Sequence, residues 1–364
     1  MNKSCYLTIF NKLFIAFILF AFVSCNRKHT IAQRGFYYWK SEGYQLQDSE
    51  TNYLRELQVQ KLYVKLFEVS YDNIMGPVPT AKSDFRYYEY SDSEVVLNKV
   101  QIIPTIYIKN EIFSKSSLTE LDTLASNILF LTDKRYGQQI RGGGYMEPAH
   151  TIDYTEIQID CDWTPSTKEK YFYLLTTLKK QSHKTISCTL RLYPYKYPDK
   201  MGVPPVDKAT LMCYNLINPL QNDNKNSILD LTELKSYLTV DKKYPLHLDI
   251  VLPIYSWMQW YQNGQFQKLI YNDNMAIATV LEPTGPLWYK VTKDTTFNNI
   301  YLRVGDKIKY EKITPGELDA AIDLIKKSVQ LDDSTTISFF HLDENNLNQF
   351  SHETLNNFYT DFSK

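Results

Sequence analysis

The sequence predicts an α/β fold, a (β/α)8 TIM barrel with a small β-rich insertion after the seventh strand. Three observations carry this expectation. Eight short apolar runs, rich in β-branched and aromatic residues, alternate with runs of helical periodicity, the order that builds a parallel sheet with helices outside it. Roughly 340 of the 364 residues remain beyond an N-terminal leader, enough for one large barrel. Residues 271–311, after the seventh run, are too many for an ordinary loop and are strand-like in composition.

The elements follow in order. "GFYYWK" (35–40) reads as the first strand, and "ETNYLRELQVQ" (50–60) as a helix. "KLYVKLFEVSYD" (61–72) is the second strand and "VQIIPTIYIKN" (100–110) the third, with the aromatic loop "DFRYYEYSDSE" between them. A helix over 117–137 stops at Gly137. "EIQIDCDWT" (156–164) is the fourth strand, followed by a helix capped at Ser166 with Glu169 three residues on. "TISCTLRLYPY" (185–195), "ATLMCYNL" (209–216) and "PLHLDIVLPIYSW" (245–257) are strands five to seven, with a helix at 227–238 between the last two. After the insertion, Thr314, Pro315 and Glu317 open a helix over 314–329. "TTISFFHL" (335–342) is the eighth strand and "SHETLNNFYTDF" the closing helix.

The N-terminus reads as a leader over 1–24, a tether over 25–34 and the barrel domain over 35–364. Lys3 and Lys12 flank an apolar run over 13–24 that is too short for a stable membrane span. It ends in "AFVSC", which resembles a bacterial lipobox, so Cys25 is the expected lipidation site and the membrane an expected partner. No acidic pair follows Cys25, which points to an outer-membrane location facing the periplasm. Net charge is −1, so no long-range field draws the chain to nucleic acid. Cys161, Cys188 and Cys213 sit in apolar runs and read as buried small hydrophobes. The six histidines show no metal-ligand spacing, and no metal or cofactor is expected.

Alternation along the fourth strand places Gln158, Asp160, Asp162 and Thr164 on one face, pointing into the barrel near its C-terminal mouth. Two carboxylates so close are costly unless a cation, hydrogen bonds or a shared proton compensates, which suits general acid work for one of them. Asp160, Asp162 and Glu68 are therefore the catalytic candidates; the alternative is that they hold loops. Arg191, expected to share a face with Tyr193 on the fifth strand, has the chemistry to hold one of these aspartates ionised or to bind a sugar acid. Tyr214, Asn215, Gln158, Lys65 and Trp257 complete the expected substrate-binding set, with Trp257 and Trp260 candidates for stacking on sugar rings and one of the two packing beneath the insertion. Asp207 reads as a loop-shaping residue, and "RGGGY" (141–145) as a turn.

"IDCDWTPS" resembles the strand-four motif of glycoside hydrolase family 18, the chitinases and their relatives, in which D-x-D-x-E ends on the catalytic acid. "LMCYN" resembles the strand-six motif of the same family, whose tyrosine and neighbour assist the substrate's acetamido group; Tyr214 and Asn215 match it. Thr164 stands where that family has its acid, and a threonine does not protonate a glycosidic oxygen at neutral pH. "KLYVKLFEVSYD", "EIQIDCDWTPSTKEKYFYLL", "GVPPVDKATLMCYN" and "YPLHLDIVLPIYSW" together resemble a lipoprotein family of Bacteroidetes-type bacteria with a TIM-barrel domain of unknown function. That pattern has a basic residue and an aspartate where this chain has Lys65 and Glu68. The resemblances imply a membrane-anchored barrel that acts on or binds a glycan through carboxylates at its mouth. A scaffold that meets other envelope proteins is the alternative.

Overall fold

A computed structural model describes residues 32–40, 46–83, 85, 99–140, 153–220, 224–271 and 275–363. Eight parallel strands close into a ring: β1 (Gln33–Tyr38), β2 (Lys61–Asp72), β3 (Gln101–Ile108), β4 (Glu156–Asp160), β5 (Thr185–Arg191), β6 (Lys208–Met212), β7 (His247–Pro253) and β8 (Thr336–Phe340). Each pairs with the next, and β8 returns to β1 through the register Gln33 opposite Thr336. This is the expected (β/α)8 TIM barrel. A short strand, Gly76–Thr80, folds back antiparallel on the extended end of β2, outside the ring.

The main helices are α1 (Asp48–Glu56), α2 (Leu118–Arg135), α3 (Lys168–Ser182), α4 (Leu231–Leu238), α5 (Pro315–Ser328) and α6 (His352–Phe362). Their starts are written locally. Ser117 and Glu120 form a capping box on α2, and Thr314 and Glu317 form another on α5, where Pro315 occupies the first turn. Several boundaries differ from the sequence expectation, the end of β4 at Asp160 instead of residue 164 among them. Gly137 does not stop α2, whose chain continues as a π turn over Tyr136–Ile140. The start of α3 moves from Ser166 to Thr167, which makes no side-chain cap; its hydroxyl instead accepts from the amide of Thr164 at 2.9 Å.

The barrel interior is polar and layered. At its lower end Lys208 Nζ lies 2.9 Å from Glu156 and 2.8 Å from Asp249, and Asp249 also accepts from the backbone amide of Thr336 at 2.7 Å. Burial works against the charge of Asp249, but His247, Lys208 and Lys61 outweigh it and hold the carboxyl well below the usual range. Above this layer Tyr37 and Tyr63 stack with centroids 4.7 Å apart. Gln158 spans the same layer, accepting from the Tyr37 hydroxyl at 2.7 Å and donating to Thr210 at 3.0 Å. The outward side chains Ile157, Ile159, Cys161 and Trp163 are buried in the apolar core between barrel and helices, as the alternation along β4 requires.

The insertion folds as a five-stranded antiparallel sheet in the order Gln265–Ile270, Trp257–Gln262, Lys307–Glu311, Trp288–Val291, Leu281–Gly285. It therefore begins at Trp257, earlier than residue 271, and β7 ends at Pro253. One sheet face packs on its own core of Met258, Ile270, Val291, Ile308 and Tyr310. The other carries a polar seam to the loop after β6. Lys309 pairs with Glu311 at 2.8 Å, both fully buried, and Glu311 accepts from Ser227, Trp257 and Gln259. The seam holds Trp257 at the barrel mouth.

Among the described residues no helix is long and apolar enough to cross a membrane. Cys25, the tether before Ala32, "RGGGY" and most of the aromatic loop lie outside the described residues.

Candidate functional site

The mouth holds a cavity of about 410 Å³ formed where the strands end. Asp160, Asp162, Glu68, Arg191, Tyr214 and Asn215 all line it, so six of the expected site residues converge in space. A second lobe of about 480 Å³ adjoins it, lined by Trp257, Ser256, His341 and Asp343 among others. Trp39, Asn215, Tyr271 and Phe340 line both lobes and so divide one aromatic-walled groove.

Asp160 ends β4 and is 9 % exposed at the cavity floor. Its Oδ1 accepts from the Thr189 hydroxyl at 2.5 Å. Burial and then the charge of Asp162 raise its pKa to about 6, against the opposing pull of Thr189 and Arg191. Asp162 lies past the end of the strand and is exposed. Arg191 grips it with both sides of its fork, Nε to Oδ1 at 2.5 Å and Nη2 to Oδ2 at 2.8 Å. A bidentate pair of this kind fixes both planes. One aspartate is thus poised to titrate, while the other is held by a cation.

Glu68 is paired with Lys65 at 2.8 Å. Strict alternation would send residues 65 and 68 to opposite faces of β2. A bulge between Lys65 and Phe67 shifts the register by one residue and lets both side chains meet. Lys65 is 3 % exposed, lies 5.5 Å over the Trp39 ring and supports Glu68 from behind. Tyr214 packs on Phe340 at 5.3 Å and edge-on against Tyr255 at 6.0 Å. Asn215 adopts a left-handed backbone with φ of 53°, a conformation asparagine tolerates, and accepts from the Tyr255 hydroxyl at 2.6 Å.

Besides Lys65, which stands behind Glu68 and does not line the cavity, three expected residues take other places. Gln158 is fully buried one layer beneath the floor, with both ends of its amide engaged inside the barrel. Tyr193 does not share a strand face with Arg191, because the chain turns into a short helix, Leu192–Lys196, directly after it. Its ring lies 4.8 Å from Tyr197 and its hydroxyl bonds Lys200 outside the cavity. Trp260 packs with the insertion core and donates to Asp306 at 2.9 Å, so Trp257 alone of the pair reaches the groove. Asp207 accepts from Lys179 and from the amide of Ile186, shaping a loop as expected.

Thr164 is not among the residues that line the mouth. Its hydroxyl bonds Ser166 at 2.9 Å and Thr167 at 3.1 Å, and Thr167 in turn donates to Asn110. The side chain is thus tied into the start of α3. Trp39, Tyr107, Thr189, Tyr271 and Phe340 line the cavity without having been singled out from the sequence. Trp39, Tyr107, Thr189 and Phe340 sit at or just beyond the C-terminal ends of barrel strands, the position where barrel sites form. Tyr107 stands opposite Asp160 in register, and burial followed by the charges of Asp162 and Asp160 pushes its pKa to about 12. In the second lobe His341 Nδ1 is buried with no hydrogen-bond partner among the described residues, and burial lowers its pKa to about 4. The imidazole is therefore neutral at neutral pH. Among the described residues no cluster of side chains has the makings of a metal site.

No family model matches the chain, and no curated protein matches it. Solved structures do. The spore cortex-lytic enzyme SleL of Bacillus cereus superposes with a TM-score of 0.53 at 15 % identity, over 91 % of this chain and 74 % of its own. A chitinase from Chromobacterium violaceum superposes with a TM-score of 0.54 at 11 % identity, over 89 % of this chain and 97 % of its own. At these identities the likeness is one of fold: like them, this chain folds as a (β/α)8 TIM barrel.

Proposed function

We propose that the barrel mouth binds a glycan and does not hydrolyse it by an acid at position 164. One observation carries this reading. The groove joins aromatic walls (Trp39, Tyr214, Tyr271, Phe340) to carboxylates that are mostly neutralised by their own cations, while the acid position holds a threonine turned into a helix start. Aromatic faces stack on the apolar faces of sugar rings, and Asp160, Asn215 and the Arg191–Asp162 pair offer acceptors and donors for hydroxyl groups. The fold shared with a chitinase supports the same ligand class.

A glycan array followed by calorimetric titration tests this. The expected outcome is saturable binding of at least one glycan, weakened at least tenfold by Trp39→Ala, with no release of reducing ends. A second reading is favoured by the raised pKa of Asp160, which suits a general acid. It requires turnover of the bound glycan and its loss in Asp160→Asn by about a hundredfold or more. Turnover that disappears in this way replaces the binding reading with the hydrolase one.

The chain's lipobox-like "AFVSC" supports a further part of the proposal: a lipoprotein of the Bacteroidetes type, held at the outer membrane through Cys25 and facing the periplasm. Cys25→Ser should leave an unprocessed precursor that leaves the detergent phase on phase partitioning. Unchanged partitioning and mobility would remove the anchor.

A further inference from the structure

The insertion carries a second cavity, of about 560 Å³, on the side of the sheet that also bears the polar seam. Tyr261, Lys307 and Lys290 stand side by side across three adjacent strands, since Lys307 is in register with Tyr261 and Lys290 with Lys307. Trp288 lies two residues from Lys290 on the same face. All four side chains line the cavity.

Two features of this surface call for a ligand. Like charges placed directly opposite on neighbouring strands destabilise a sheet, yet neither Lys290 nor Lys307 makes an ion pair among the described residues. Glu282 is the register partner of Lys290 on the edge strand and does not pair with it either. The two cations are left facing a cavity. Beside them stands an aromatic wall: Tyr261 lies 5.4 Å from Trp288 and 5.7 Å from Phe266. Gly264 and Gly285 border the space, and a Cβ at either would meet nothing within 4 Å, so the rim is open. Thr284 and Asn224 add a hydroxyl and an amide.

We infer that this cavity is a binding site for an acidic saccharide, a uronate-bearing sugar whose ring lies on Trp288 and whose carboxylate is held between Lys290 and Lys307. Each part of the site answers one part of that ligand. A flat indole takes the apolar face of a pyranose, two lysines take the negative charge, and the hydroxyl and amide take sugar hydroxyls. A bare anion would have no use for the aromatic wall, and a neutral sugar none for the paired lysines. The site is separate from the mouth. Tyr261 and Trp257 face the same way on one strand, four residues and about 13 Å apart, and Gln259 is buried in the seam between them.

The inference stands apart from the reading of the mouth, and the test keeps the two distinct. The full chain is titrated calorimetrically at low ionic strength with tetragalacturonate, cellotetraose, a tetraglutamate peptide and inorganic sulfate. Tetragalacturonate is expected to bind saturably and more tightly than the other three, and to weaken as salt is raised. Lys290→Gln and Lys307→Gln should each weaken it by about tenfold or more, as loss of a charge-assisted hydrogen bond does. Trp288→Ala should weaken it as well, whereas Trp39→Ala at the mouth should leave it unchanged. Circular dichroism establishes that the exposed lysine variants remain folded. Absence of tetragalacturonate binding overturns the inference, as does binding indifferent to both lysines or abolished by Trp39→Ala. Equal binding of cellotetraose removes the acidic class, equal binding of sulfate removes the sugar, and tighter binding of tetraglutamate assigns the surface to a peptide instead.

Discussion

Asp160 is the residue on which the mouth turns. It is a buried carboxyl that, among the described residues, has one strong donor, Thr189, and no cation of its own, because Arg191 is committed to Asp162. Its folded pKa of about 6 lies above the ordinary aspartate value. The folded state therefore holds this proton where the unfolded chain has lost it. Stability from the group is fully present at pH below about 4 and falls as pH rises to about 6, by about 2–3 kcal/mol. Asp160→Asn keeps an acceptor for Thr189 and removes the charge. It should raise the melting temperature by a few degrees at pH 8 and leave it unchanged at pH 4. A variant that melts lower at pH 8 would mean the ionised carboxylate is a net structural asset there. The Lys65–Glu68 contact shows a different lesson at the same scale, since one bulge in β2 brings together two side chains that simple alternation keeps apart.

The element that shapes the groove from outside is the antiparallel sheet after β7. Its apolar face is self-sufficient, but its polar face is joined to the barrel by a fully buried pair, Lys309–Glu311, whose carboxylate also holds Ser227 and the Trp257 indole. Removing one partner of a buried pair takes the counter-charge from the other and costs about 3–5 kcal/mol. Glu311→Gln should therefore lower the unfolding free energy by about that amount. It should also loosen Trp257, so any glycan bound in the second lobe is held more weakly. Replacing both residues, Lys309→Met with Glu311→Leu, should cost less than the sum of the single changes. Chemical denaturation of the three variants measures this; strict additivity would mean that the pair does not act as a unit.

Among the described residues Asp249, His341, Asp160 and His247 are four of the groups whose shifted titrations shape the pH profile. Asp249, held below the usual carboxylate range, contributes stability above about pH 4 that is lost as pH falls through its folded pKa. His341, lowered to about 4 by burial, must charge in the unfolded chain first, so it favours the fold increasingly as pH rises from about 4 to 6.5. Asp160 has the opposite slope over nearly the same window. His247, raised chiefly by its hydrogen bond to Asp249, contributes stability below about pH 6.5 that is lost as pH rises through its folded pKa. Together these four groups contribute a plateau from about pH 4 to 6.5 with a fall on either side. Scanning calorimetry across this range should show it. Asp160→Asn should tilt the plateau upward with pH, and His341→Gln should tilt it downward; a single sharp maximum in the parent protein would contradict the cancellation.

Much of this molecule can be read along the chain. Hydrophobic period, capping residues and loop lengths are properties of neighbours in sequence, so the eight strands, the capping boxes at Ser117 and Thr314 and the placement of Asp160 and Asp162 at the end of a strand were all legible there. Six of the expected site residues meet at one mouth for the same reason: a closed parallel barrel collects the C-terminal ends of its strands. What neighbours cannot encode is the contact between distant segments. Which aspartate receives Arg191, where Thr164 turns its hydroxyl, and how the insertion docks on Ser227 all depend on distances across the barrel. So does the early end of the fifth strand, which carries Tyr193 out of the site. The protonation of Asp160 belongs to this second kind. A carboxyl's pKa is a balance of burial against charges a few ångströms away, and that balance exists only once the barrel has closed.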